Sequence, residues 1–278
     1  MDQLYNNVSF NCSKIITQQY STSFSIGIKT LHKSLRNPIY GIYGFVRLAD
    51  EIVDTFHDQD KERLLHEYRT ETFKAIDQQI HLNPVLNAFQ SVVRRYDIPN
   101  ELIESFLDSM EMDLHQTAYD RELFEKYLYG SAEVVGLMCL KVFCDGDDQL
   151  YDSLHTYAQS LGAAFQKINF LRDIQSDIED RGRVYFPGLD FKRFSEKDKA
   201  NIEREIRLEL DHALVGIRKL PKSARTGVYL SYIYYAALFQ KIRKLPASQI
   251  MRVRVRVHDA VKMRLLAFTY LKSAFYII

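Results

Sequence analysis

Apolar and polar positions alternate with the period of an α-helix along most of the chain, and strand-like alternation is scarce. Between residues 38 and 57, Ile42, Phe45, Val46, Ala49, Ile52, Val53 and Phe56 recur at i, i+3, i+4 and i+7, the spacing of a helix with one buried face. The same period predicts helices near 4–19, 22–33, 38–57, 60–80, 84–96, 100–117, 121–143, 148–178, 196–219, 224–244 and 258–276. Asn37-Pro38 and Asn83-Pro84 each place a capping side chain before a proline suited to a first helical turn. Pro99 and Ser195-Glu196-Lys197-Asp198 mark two more starts. Asp145-Gly146-Asp147-Asp148 reads as a turn without the spacing of a calcium loop. Two stretches break the pattern. Arg181-Gly182-Arg183-Val184-Tyr185-Phe186-Pro187 reads as a loop, and Met251–Val257 alternates Arg with Val, as a short strand or extended segment would. With 11 Gly and 6 Pro in 278 residues, no linker and no repeat, the expected architecture is all-α, a single domain over residues 1–278.

Charge narrows the function classes. The 37 Lys and Arg balance 36 Asp and Glu, so attraction to bulk nucleic acid is not expected. Cys12, Cys139 and Cys144 are odd in number and lack metal-ligand spacing, which argues against a disulfide framework or a zinc site and leaves a reducing cytoplasm as the default. The eight histidines form no metal motif. Asp2–Ser9 is polar, unlike a secretory signal. Val134–Leu140 is among the longest apolar runs, well short of the ~20 residues of a membrane span. A peripheral contact with the inner face of the membrane is expected, and a transmembrane segment is not.

Candidate chemistry rests on two aspartate pairs, Asp50/Asp54 and Asp173/Asp177. Residues four apart stack on one helix face, and like charges so placed repel. The spacing alone is weak, since Glu67/Glu71, Glu104/Asp108 and Glu205/Glu209 share it and read as solvated faces. Position on the helix separates the aspartates from these. Tyr43, Arg47, Asp50 and Asp54 form a polar stripe bordering the apolar one, at about 100° per residue. Gly162, Gln166, Asn169, Asp173 and Asp177 form a second polar ladder inside an otherwise apolar helix. Such a ladder is either a buried structural network or the wall of a cavity. In the cavity reading, two helices face each other across a cleft. Mg²⁺ and a diphosphate then offset the repulsion of four carboxylates, with Arg47 and Arg172 gripping phosphate oxygens.

Residues 43–54 (Tyr-Gly-Phe-Val-Arg-Leu-Ala-Asp-Glu-Ile-Val-Asp) and 166–177 (Gln-Lys-Ile-Asn-Phe-Leu-Arg-Asp-Ile-Gln-Ser-Asp) resemble the two Asp-rich motifs of the squalene/phytoene synthases. The Arg-Gly-Arg-Val-Tyr-Phe-Pro tail at 181–187, Ser21-Thr-Ser-Phe-Ser25 and Tyr127-Leu-Tyr-Gly-Ser-Ala-Glu-Val-Val-Gly136 extend the likeness over about residues 15–265. The resemblance implies an isoprenoid-synthase-type helical bundle around a central cavity, and head-to-head condensation of two prenyl diphosphates. It assigns Asp50, Asp54, Asp173, Asp177 and Asn169 to Mg²⁺, with Mn²⁺ as a substitute. It sets Tyr43, Arg47, Arg172 and Tyr185 against the diphosphate. Ser21, Ser23, Phe24, Tyr127, Ala132, Val135, Gly136 and Gln166 fall along the substrate chains. Arg254 is the expected further phosphate contact. Two positions depart from the family pattern: Glu133 replaces a small residue beside the cleft, and Phe239 replaces a tyrosine near the diphosphate. The leading expectation is phytoene from two geranylgeranyl diphosphates, without NADPH. Eukaryotic squalene synthases carry a longer C-terminal region with a membrane anchor, which this sequence lacks, and that favours the phytoene-type outcome. The alternatives are dehydrosqualene or squalene from two farnesyl diphosphates, a non-catalytic family member serving as an assembly factor, and a helical partner-binding domain whose acidic ladders are structural.

Overall fold

A computed structural model describes residues 2–179, 182–189, 194–252, 254–256, 264–266 and 268–269. Among the described residues, twelve α-helices are bounded, in order: α1 (Asp2–Tyr20), α2 (Thr22–Thr30), α3 (Lys33–Asp54), α4 (Lys61–Gln78), α5 (Pro84–Arg95), α6 (Asn100–His115), α7 (Arg121–Leu128), α8 (Val134–Cys144), α9 (Asp148–Glu179), α10 (Glu196–Lys219), α11 (Lys222–Arg243) and α12 (Ala247–Ile250). A π turn, Tyr129–Glu133, joins α7 to α8 without a break. Among the described residues there is no strand, only an isolated bridge between Ala118 and Val184. Of the helix expected at 258–276, residues 264–266 and 268–269 are helical and the rest lies outside the described residues, as do Arg181, Val253 and Val257.

Most starts follow the capping residues read from the sequence. The Asn83 side chain accepts from Val85 N–H, and Ser195 closes a reciprocal box with Asp198. The start of α3 does not follow them. It begins at Lys33, capped by His32, and carries Pro38 inside. Proline there removes one helical hydrogen bond. Burial of Leu35, Pro38 and Ile39, and the bond from His32 N–H to Ser223 O at 2.9 Å, hold the early turn regardless. Helix α3 ends at Asp54, so Phe56 falls off the apolar face and is 37% exposed. The described residues of the Arg/Val alternation, 251–252 and 254–256, form no strand: Val255 is buried while Arg254 and Arg256 stay exposed.

One core gathers around α3, where Phe45 is fully buried. Its ring stacks on Phe89 at 3.9 Å and meets Phe106 at 5.4 Å. A second core lies between α9, α10 and α11. The helical run 121–144 is long and apolar enough to cross a membrane, but half of its most apolar window is buried in the bundle. It serves as a wall between the two cores.

Candidate active site

Between the cores lies a cavity of about 650 Å³, lined by residues of α2, α3, α6, the π turn, α8, α9, α10 and α11. Along α9 its lining passes from Leu154, Tyr157, Ala158 and Leu161 to Gln166, Asn169, Asp173 and Asp177, and along α3 from Ile39 and Ile42 to Asp50 and Asp54, so one end is rich in polar groups and the other mostly apolar. Asp50 and Asp54 of α3, and Asp173 and Asp177 of α9, all line it. So do Tyr43, Arg47, Arg172, Tyr185 and Arg254. Ser21, Ser23 and Phe24 of α2, Tyr127, Ala132, Val135 and Gly136 of the 121–144 run, and Gln166 and Asn169 of α9 complete the expected set. The acidic ladders therefore face a shared cavity, as the cleft reading requires.

Phe239 is the exception. It is 2% exposed within the second core, beneath the Arg243 guanidinium at 5.8 Å, and does not line the cavity. Tyr235, one turn earlier on α11, does. Its hydroxyl donates to Asn169 Oδ1 at 3.3 Å, and its ring stacks on Phe165 at 3.8 Å. Glu133 also points away, accepting from Gln159 Nε2 at 2.9 Å. The Glu205/Glu209 pair is not a solvated face: both carboxylates hold Lys167, at 3.1 and 2.5 Å, and the Lys167 side chain is only 5% exposed.

Cations interleave the acids at the polar end. Arg47 lies 3.6 Å from Asp50 and 2.5 Å from Glu51, with its guanidinium 4.3 Å over the Tyr20 ring. Asp173 pairs with Arg172 and, at 2.8 Å, with Arg254. Arg183 reaches Asp54 at 3.2 Å and Asp113 at 3.5 Å. Its placement is set by backbone bonds from Arg183 N–H to Asp177 O at 2.8 Å and from Val184 N–H to Thr117 O at 2.9 Å.

Asp113 was not visible as a site residue in the sequence. It lies in the last turn of α6, buried, and lines the cavity. The Tyr127 hydroxyl donates to it at 2.7 Å, Tyr185 at 3.1 Å and Tyr119 at 3.5 Å. Burial raises its carboxyl to about 6, against the pull of Arg183 and of the Tyr127 hydrogen bond. Asp50 is pushed up to about 7, first by enclosure within protein, against Arg47, and then by the charges of Asp54, Asp113 and Glu51. Burial foremost raises the Tyr43 hydroxyl to about 12, so it stays a neutral donor.

Two observations test which ligands the site suits. The buried Arg47 Nε has no hydrogen-bond partner, an orphaned donor on a guanidinium whose residue lines the cavity. Asp50 is raised partly by neighbouring carboxylates, an excess of negative charge that a hard cation relieves. Among the described residues no three side chains enclose a metal ion by themselves. Mg²⁺ held by one or two carboxylates, waters and phosphate oxygens needs no such enclosure.

Residues 17–260 match the squalene/phytoene synthase family model. The chain belongs to this family. Its members are prenyltransferase-type synthases that join prenyl diphosphates head to head. A 4,4'-diapophytoene synthase of Staphylococcus haemolyticus is 27% identical over 215 residues, 74% of this chain and 70% of that protein. A 15-cis-phytoene synthase of Paracoccus sp. is 26% identical over 275 residues, 89% and 86% of the two chains. A ligand-bound dehydrosqualene synthase crystal structure superimposes with a TM-score of 0.83 over 98% of this chain and 99% of that one, at 22% identity. That likeness confirms the all-α fold of the squalene/phytoene synthases.

Proposed function

We propose that the protein condenses two geranylgeranyl diphosphates head to head into phytoene, through a cyclopropylcarbinyl diphosphate, in carotenoid biosynthesis. The observation that carries the reading is the polarity of the cavity. Both aspartate pairs line it at the C-terminal ends of α3 and α9, and toward the start of each helix the lining turns mostly apolar, through Ile42 and Ile39 and through Leu161, Ala158, Tyr157 and Leu154. An amphiphile with an anionic head and a long apolar chain has that distribution.

Asp50, Asp54, Asp173 and Asp177, with Asn169, would hold Mg²⁺, which supplies Lewis-acid stabilisation of the departing diphosphate. Arg47, Arg172 and Arg254 bind and orient phosphate oxygens. Departure of one diphosphate leaves an allylic cation, the double bond of the second substrate attacks it, and loss of a proton closes the cyclopropane ring. Departure of the second diphosphate, rearrangement and loss of a second proton give a central conjugated triene. The rings of Phe24, Tyr43 and Tyr235 stand in the cavity wall, 5.5 Å apart for Phe24–Tyr43 and 6.4 Å for Phe24–Tyr235. They exclude water and offer π faces to a cation.

The relative named a diapophytoene synthase favours a second reading, two farnesyl diphosphates giving a C30 product. Incubation with C15 and C20 prenyl diphosphates, with and without NADPH, separates the two by product mass. The expected result is a C40 hydrocarbon that requires Mg²⁺ and is indifferent to NADPH. Asp50→Ala or Asp173→Ala should abolish turnover and leave the helical circular dichroism unchanged. Turnover retained within a few-fold by both variants would contradict the assignment.

A further inference from the structure

At its apolar end the cavity is lined by Leu140, Phe143, Leu154, Tyr157 and Leu220, and the Tyr157 ring among them is held from outside. Tyr157 lines the cavity and stands roughly 24 Å from Asp173 along α9, at 1.5 Å per residue. It packs against a small third core containing Leu140, Leu154 and Leu220. On its far side the exposed Lys219 donates to the Tyr157 hydroxyl at 3.1 Å and places its ammonium 4.7 Å from the ring centroid. The His212 ring lies 4.5 Å away. Tyr157 thus separates hydrocarbon space from surface cations.

The opposing helix, α10, makes room for it. A Cβ built at Gly216 would lie 2.2 Å from Tyr157 Cβ and 2.6 Å from its Cγ. Those atoms are the stem of the side chain, held by the α9 backbone, so any substituent at Gly216 forces α9 and α10 apart. His212 and Lys219 flank Gly216 on α10 and hold the ring over it.

We infer that the Tyr157 ring, seated over Gly216, forms part of the floor of the hydrocarbon channel and limits the length of prenyl chain accepted. The inference rests on the prenyl diphosphate reading above and deepens it. It predicts a graded effect of side-chain volume: Tyr157→Ala opens the floor fully and Tyr157→Leu in part.

The test is competition between C15, C20 and C25 prenyl diphosphates, read as ratios of kcat/KM. A single methylene in an apolar pocket is worth about 10-fold or more. Tyr157→Ala should therefore raise the preference for the longer of adjacent substrates by at least about 10-fold. Tyr157→Phe should keep the wild-type preference, since the ring and not the hydroxyl sets depth, and Tyr157→Leu should give a preference between those of wild type and Tyr157→Ala. An active wild type whose variants keep one length preference within twofold overturns this inference alone. A wild type inactive on all three diphosphates overturns the proposed function and this inference with it.

Discussion

Asp113 gathers more polar partners than any one role in its helix demands. Three tyrosine hydroxyls and a guanidinium converge on one buried carboxylate. Arg183, in turn, touches Asp54 of the first aspartate pair. The carboxylate therefore orients Tyr127 and Tyr185 at the cavity wall and ties the loop after α9 to α3. Asp113→Asn keeps the shape and removes the charge. Turnover is expected to fall about 10–100-fold, the usual cost of losing a residue that orients ligand-binding groups, with helicity unchanged. Wild-type rates would show the network to be purely structural. Glu133 invites a different measurement. Burial, opposed by Gln159, moves its carboxyl from 4.5 to about 7. The folded state then binds this proton more tightly than the unfolded chain. The resulting stability is fully present below 4.5 and is lost as pH rises through about 7. Glu133→Gln should remove that contribution. The change in urea midpoint between pH 5 and 8 should be smaller in the variant, by on the order of 1–3 kcal/mol once converted to free energy.

The π turn shows how an element sets the site. One extra residue per turn rotates α8 relative to α7, so that Ala132, Val135, Gly136 and Cys139 reach the cavity. Glycines let this run approach its neighbours. A Cβ at Gly130 would lie 2.4 Å from Ser105 O, and one at Gly162 would lie 2.7 Å from Ala132 O. Both obstacles are backbone atoms, which cannot swing aside. Gly130→Ala should destabilise the protein by about 1–3 kcal/mol, read as a lower urea midpoint at unchanged slope. The helices themselves were legible because their apolar faces repeat at the helical period over many turns. The π turn was not, since a single inserted residue barely disturbs that period. The start of α3 was misplaced because Pro38 is a strong local signal that packing overrides. Within the site, the aspartate pairs were legible because each lies on one helix at fixed spacing. Asp113 was not, since its partners come from the distant residues 127, 183 and 185. The Glu205/Glu209 pair was misread for the same reason: its cation, Lys167, belongs to another helix.

At the scale of the whole molecule, the polar end of the cavity carries five carboxylates against four guanidinium groups. Asp50, Asp54, Asp113, Asp173 and Asp177 face Arg47, Arg172, Arg183 and Arg254. A divalent cation alone would compete with these arginines for the carboxylates, and a diphosphate alone would compete with the carboxylates for the arginines. Together they bring charges of both signs, and each ligand occupies the partners that the other releases. Stabilisation should therefore be cooperative. At 100 times the dissociation constant a ligand that binds only the folded state contributes about 2.7 kcal/mol. For a chain of this size that corresponds to a rise in Tm of roughly 5–8 °C. Inorganic pyrophosphate with Mg²⁺ is the probe. Either one alone should move Tm by less than about a third of the joint shift, and Asp173→Ala should remove the joint shift. Equal shifts with Mg²⁺ alone and with the pair would mean that the cation binds without the anion, and that the interleaved arginines do not face a diphosphate.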